Sequence, residues 1–413
     1  MNDYRLIKIE QRFNQNSLVD IKGEVREQLK RIRSDIRPGS SIAIGVGSRG
    51  IRNLALVVQT VADFLKENKA RPFIIPAMGS HGGATAKGQE KVLAGYGISK
   101  DTIGIPVKSS MEVVELTAKN SPCPVFMDKI AFESDGVILI NRIKPHTDFH
   151  SRYESGLVKM AVIGLGKEKQ ALSVHSYGVH GLSELIPLIG RQIISSGKII
   201  GGLALVENAY DDTMLIRALK PGEFFEQEQL LLDIARQNMP SLPVNEADVL
   251  IIDQMGKDIS GVGIDPNIIG RIRITGQREP DNPRIKAIMI SDLSYNSFGN
   301  AIGIGLSDVI TRKLNDKIDF ASTYKNAVTS GFLERAKIPV VADDDRKAFE
   351  IALRSCGYIK PGEERIIRIK DTLHLGEIYV SQHILEEMNN RSGIEVIQEN
   401  IPVFNDKNEL NPF

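Results

Sequence analysis

The sequence of 413 residues has no tryptophan, two cysteines and no net charge, with 52 Lys+Arg balancing 52 Asp+Glu. Cys123 and Cys356 are too few and too far apart for a disulfide framework or a thiolate metal site, which fits a reducing compartment. A net charge of zero provides no basic field for a nucleic-acid backbone. No run of eighteen apolar residues is available to span a bilayer, and the stretch from Met1 to Glu10 lacks the apolar core of a signal peptide. A cytoplasmic protein without nucleic-acid or membrane partners is expected. Its composition, 42% hydrophobic and 25% charged, is that of a globular chain with a large core. The length suggests two domains.

Apolar runs of strand length alternate with amphipathic runs of helix length. Ser41 to Gly47 reads as a buried strand, and Asn53 to Asn68 has helical period. Arg71 to Pro76 is a second strand, followed by a glycine-rich loop from Gly79 to Gly88 and a helix start from Gln89 to Gly95. Gly136 to Asn141 and Ile199 to Glu207 are further strands. Two prolines between Met239 and Val244 mark a boundary, which gives domains 1–243 and 244–390 and a tail, 391–413, expected to return to the first domain. In the second domain strands are expected at Ala247 to Asp253, Arg284 to Asp292, Ile318 to Phe320, Ile338 to Ala342 and Arg365 to Lys370, with helices at Asp308 to Leu314 and Arg346 to Cys356. The fold class is therefore two α/β domains with mainly parallel sheets, and the active site is expected in the cleft between them. Ligands of such sheets collect at the carboxyl ends of the strands. Here those ends are polar and mostly glycine-rich.

Five of the seven histidines, His81, His146, His150, His175 and His180, fall in the first domain. Imidazole serves as general base, general acid or metal ligand, whereas most histidines taken singly are structural. The loop Gly79-Ser80-His81-Gly82-Gly83 could admit an anionic ligand, but it is not a P-loop, because Gly88 is followed by Gln89. Arg49, at another strand end, reads as an anion contact or a surface ion pair. Pro145 and its neighbours make the His146/His150 pair a loop, so an all-protein metal site lacks ligands. Lys159 sits in an apolar stretch, Leu157 to Ile163, where it is either a desolvated nucleophile or a snorkelling lysine. Serine hydrolase, cysteine protease and glycosidase patterns are absent.

The order of these residues resembles the nickel-pincer lactate racemase family: an Arg at a first strand end, a His in a Gly-rich second loop, a Pro-His, then a Lys and a further His. The correspondence covers Ile42 to His180, and more weakly the rest. It implies His81 and His146 as acid/base residues facing the substrate from opposite sides. It implies Lys159 as the attachment point of a pyridinium-3-thioamide-5-thiocarboxylic acid mononucleotide, with His175 as the protein ligand of its Ni(II). Ser80, Gly82 and Gly83 would contact the cofactor, and Arg49 either its phosphate or the substrate carboxylate. Lys159 and His175 are sixteen positions apart, in agreement with the family pattern. The implied partners are a 2-hydroxy acid and the cofactor-synthesis proteins, and the implied reaction is racemisation or epimerisation by reversible hydride transfer. The thirteen-residue interval from His146 to Lys159 is longer than in the lactate enzymes and adds His150, Arg152 and Glu154. The absent Trp, and the lack of a clear counterpart for the family's second-domain Gln and Lys around Asp265 to Arg271, disfavour lactate. They favour a larger or more polar acid met by Arg142, Lys144 or Arg152. A cofactor-free anion-binding homologue, or another pincer-dependent hydride reaction, would use the same residues.

Overall fold

The computed structural model describes residues 4–48, 50–117, 121–388 and 391–413. The chain divides into two compact units, Asn14–Met239 and Pro240–Phe413, the latter joined by the first strand of the chain. Arg49, the expected anion contact, lies outside the described residues.

Strand β1 is Arg5–Gln11. The Asn14–Met239 unit is built on β2 (Ser41–Val46), β3 (Arg71–Pro76), β6 (Gly136–Arg142), β7 (Ile199–Glu207) and β8 (Thr213–Leu219), in the order β3-β2-β6-β7-β8. The first three pairings are parallel and only β7–β8 is antiparallel. A separate antiparallel pair, β4 (Val113–Leu116) and β5 (Val125–Asp128), lies outside this sheet. β2 is buried along nearly its whole length because helices cover both faces of a central parallel strand. Its neighbour in sequence, the helix Leu54–Glu67, buries Leu54, Val57, Val58, Val61, Phe64 and Leu65, the helical stripe read in the sequence.

The other unit contains β9 (Glu246–Met255), β10 (Arg284–Leu293), β11 (Val309–Thr311), β12 (Val340–Ala342), β13 (Ile366–Ile369), β14 (Glu377–Val380) and β15 (Ile394–Pro402). With β1 they form one eight-stranded sheet, β12-β11-β10-β9-β13-β14-β1-β15. Its core half, from β12 to β13, is parallel, and β14, β1 and β15 add antiparallel strands. The protein is thus α/β with two mainly parallel sheets.

Three sequence expectations need correction. The tail 391–413 does not return to the first domain: β15 pairs with β1, so both chain ends belong to the second unit. The expected helix from Asp308 begins instead as strand β11, and a short helix, Arg312–Asn315, follows. Ile318 to Phe320 is not a strand; Phe320 opens the helix Phe320–Ser330, capped by the Asp319 side chain on Ser322 N–H. Periodicity cannot separate a short apolar strand from a helix, whereas the parallel slot beside β10 accepts only the strand.

The tail also closes a buried polar network. Arg368, 2% exposed at its side chain, pairs through two nitrogens with Asp253 at 2.8 and 2.7 Å and donates to Asn411 O. Asp345 accepts from Ser291, Lys313 and the Leu410 N–H. Arg368→Ala would leave the partly buried Asp253 without its cation, and a loss of about 2–4 kcal/mol in urea unfolding is expected. A loss below about 1 kcal/mol would show that Asp253 is rescued by water.

Candidate active site

Because β3, β2, β6 and β7 run parallel, their carboxyl ends lie along one edge of the sheet. Ser48 follows β2, His81 follows β3, His146 follows β6 and Asn208 follows β7.

His81 sits at the N-cap of the turn Gly82–Ala84, its Nδ1 hydrogen-bonded to Ser48 Oγ. The Ser48 carbonyl in turn accepts from Tyr96 Oη at 2.7 Å. The glycines of this loop answer mainly to its own packing. A Cβ on Gly82 would lie 2.6 Å from Gln89 N, and one on Gly88 would lie 1.8 Å from Gly82 O. Gly83, with φ +67°, has open space around it and is the one suited to a close ligand. Ser80 is exposed beside His81, and its carbonyl holds Ala84 N–H at 3.0 Å.

His146 lies in a loop pinned by Glu154, a fully buried carboxylate. Glu154 accepts from His146 N–H at 2.6 Å, Ser151 N–H at 3.1 Å and Arg236 at 2.6 Å. Glu154 thus organises the loop between His146 and Lys159. His146 Nδ1 accepts the Asp148 N–H at 3.0 Å, which puts the proton of the neutral ring on Nε2. Its ring packs 4.7 Å from Phe149, and Lys159 Nζ lies 5.1 Å from the same Phe149 ring.

Lys159 is carried by a helical run composed of Leu157–Lys159, the π-turn Met160–Gly164 and Leu165–His175. Gly156 starts the run: Asn141 Nδ2 holds its carbonyl at 2.7 Å, and the buried Glu228 accepts Val158 N–H at 3.0 Å. Sixteen residues of straight helix would separate Lys159 from His175 by about 24 Å. The run is instead broken at Lys167 (φ 56°, ψ −158°). His175 is solvent-exposed at the end of the run; partial desolvation first, then the Lys159 charge, lower its pKa from the usual imidazole value, against an opposing effect of Asp148. His146 and Lys159 thus both lie against the Phe149 ring, and His175 ends the helical run that carries Lys159. The His81 loop rests on the same run, with Gly79 N–H bonded to Gly164 O at 3.3 Å.

Other expected residues fall elsewhere. Arg142 is engaged by Glu207, itself bonded to Arg52 N–H, so its charge is neutralised and it is a poor substrate anchor. His150 pairs with Glu154 at 3.4 Å, and His180 is exposed on a short helical turn. In the second unit the stretch Asp265 to Arg271 is structural: Asp265 caps the helix Pro266–Ile269, and Arg271 binds Asp308 and three backbone carbonyls. A cavity of 630 Å³ there lies at the amino ends of β9 and β10, lined by Arg271, Arg284, Lys286 and Arg365, each paired with a carboxylate. Gln254 and Lys257, which sequence reading passed over, stand at the carboxyl end of β9; the apolar run Val249 to Ile252 ending in polar residues was the available signal. Glu228, Gln89, Tyr96 and Ser48 were also missed, since each acts through contacts distant in sequence.

Among the described residues no group of three or more His, Cys, Asp or Glu could hold a metal ion, and no helix is long and apolar enough to cross a membrane. A lysine amine and a histidine carried on one helical run suit a group attached through nitrogen whose metal takes one protein ligand.

No family model and no curated protein matches the chain. Among solved structures, a protein from Thermotoga maritima shares 14% identity over 82% of this chain and 84% of its own, with a TM-score of 0.48. The lactate racemase apoprotein from Thermoanaerobacterium thermosaccharolyticum shares 14% identity over 89% of this chain and 98% of its own, with a TM-score of 0.51, so that this chain is similar to it in fold.

Proposed function

We propose that the protein is a racemase or epimerase of a 2-hydroxy acid that uses a nickel-pincer nucleotide held by Lys159 and His175. The observation that supports this reading is that the His81 and His146 loops follow strands of one parallel sheet, while Lys159 and His175 belong to one kinked helical run. The similarity in fold to a lactate racemase apoprotein supports it. When bound, the group would supply a reversible hydride acceptor at the substrate α-carbon. The chain's own residues handle protons. With Ser48 on its Nδ1, His81 exchanges the hydroxyl proton through Nε2, and the Ser hydroxyl accepts or donates as the tautomer requires. His146, its neutral proton on Nε2, donates to an oxygen from the other strand end. Two such groups are what inversion at one carbon requires.

Lys144 and Arg152 are the loop cations left to meet a substrate more polar than lactate, since Arg142 is paired. Gln254 and Lys257 are the residue types for which the resemblance expects second-domain contacts. The test is to produce the protein with the cofactor-synthesis machinery, then incubate a panel of chiral 2-hydroxy acids in D2O. The expected result is added mass on Lys159, bound nickel, and loss of optical purity with the α-hydrogen retained. Deuterium wash-in would replace hydride return by direct proton abstraction. Unmodified Lys159 without nickel would favour a cofactor-free anion-binding protein.

A further inference from the structure

Gln89 and Lys167 are both fully buried, and neither has a part in the chemistry above. A buried ammonium is costly unless each N–H finds an acceptor. Lys167 Nζ donates to Pro76 O at 2.5 Å and Gln89 Oε1 at 3.1 Å, and the Asp128 carboxylate, 3.0 Å away, balances its charge as an ion pair. Pro76 is the last residue of β3, so the ammonium grips the strand end from which the His81 loop departs.

An ammonium only donates, so the side of the Gln89 amide that faces it must be the oxygen. The NH2 group is thereby turned the other way, where it donates to Gly79 O at 2.8 Å and His81 O at 3.2 Å. Both hydrogens are used, on the two carbonyls that flank Ser80. Gly79 itself, at φ +62°, lies against Ile163 of the π-turn that follows Lys159, where an added Cβ would sit 3.1 Å from the Ile163 side chain. Lys167 belongs to the same run as Lys159, eight positions on. The polar chain Asp128, Lys167, Gln89 therefore connects the segment carrying the attachment lysine to the backbone of the acid/base histidine.

We infer that Gln89 is a positioning residue for His81, its amide oriented by Lys167 so that the two loop carbonyls are held from beneath. The functional half of this inference rests on the racemase reading; the anchoring half does not. Gln89→Glu is the sharpest variant, because it keeps the size and the Lys167 contact but sets a carboxylate oxygen against two carbonyl oxygens. Gln89→Met, which removes both donors without adding charge, is the second variant should the first fold poorly.

Two measurements test it. In apoprotein, hydrogen exchange followed by mass spectrometry should show the peptide covering residues 79–88 exchanging faster in both variants, with peptides of β2 and β6 unchanged. In cofactor-loaded protein, kcat should fall by about 10²-fold, the cost of a small misplacement of a catalytic group, with KM and the added mass on Lys159 unchanged. Unaltered exchange of the loop, or a kcat within threefold of wild type, would overturn the inference. If wild-type loaded protein turns over no 2-hydroxy acid, the racemase reading fails, and the exchange result alone still decides whether Gln89 anchors the loop.

Discussion

His146→Ala and His81→Ala should each lower the turnover of the loaded protein by about 10²–10⁴-fold, the usual contribution of a positioned acid or base. The reason is local. His146 sits in a loop whose backbone is fixed by the buried Glu154, and its Nδ1 accepts the Asp148 N–H, which sets the orientation of the ring. His81 is oriented in the same manner by Ser48. Alanine removes the proton carrier, while Glu154 and Gln89 still hold the two loop backbones. Added mass on Lys159 and nickel content should therefore match wild type, and the loss should appear in kcat. Since the two rings act in one exchange, the double variant should be little slower than the slower single one. Chiral chromatography of both enantiomers over time provides the measurement, and a His146→Ala protein within threefold of wild type would remove His146 from the chemistry.

Glu228→Gln should make the protein more stable at alkaline pH. Glu228 is fully buried on the helix Phe224–Gln237, caps the start of the Lys159 run through Val158 N–H, and leaves its Oε1 without a hydrogen-bond partner. Burial raises its pKa from 4.5 to about 7, against the lowering effect of the Val158 and Leu157 amides. The folded state thus keeps a proton that the unfolded chain gives up. The corresponding stability is present in full below pH 4.5 and is lost as pH rises through about 7. A difference of this size corresponds to at most about 3 kcal/mol. The amide introduced by the substitution still accepts Val158 N–H through its oxygen and carries no charge to desolvate. Urea unfolding at about pH 5 and about pH 8 isolates the contribution: the wild-type stability relative to the variant should fall between them. A constant difference would show that Glu228 stays ionised throughout, held by the helix-start amides.

Elements whose residues carry their own signal could be read from the chain alone. Ser41 to Gly47 is apolar without interruption because a central parallel strand is covered on both faces, and Asn53 to Asn68 repeats every third or fourth residue because a helix buries one stripe. Once strands and helices alternate, parallel pairing follows, and the polar loops of His81 and His146 fall at the same edge. That much of the candidate site was legible.

The rest depended on folding, because the remaining contacts join residues far apart in the chain. Strand β1 and the tail strand β15 have no local sign that they pair with each other across nearly the whole sequence. The run from Lys159 to His175 is broken at Lys167, a non-glycine residue at φ 56° whose buried Nζ is held by Pro76 O and Gln89 Oε1. Arg142 reads as a substrate contact until Glu207 is seen against it. Glycines expected to cradle a ligand mostly make room for their own loop, as Gly82 and Gly88 do. Composition and period report which side chains leave water. Which polar groups meet once there, and so how each histidine ring is oriented, is set by hydrogen-bond partners that only the folded chain brings together.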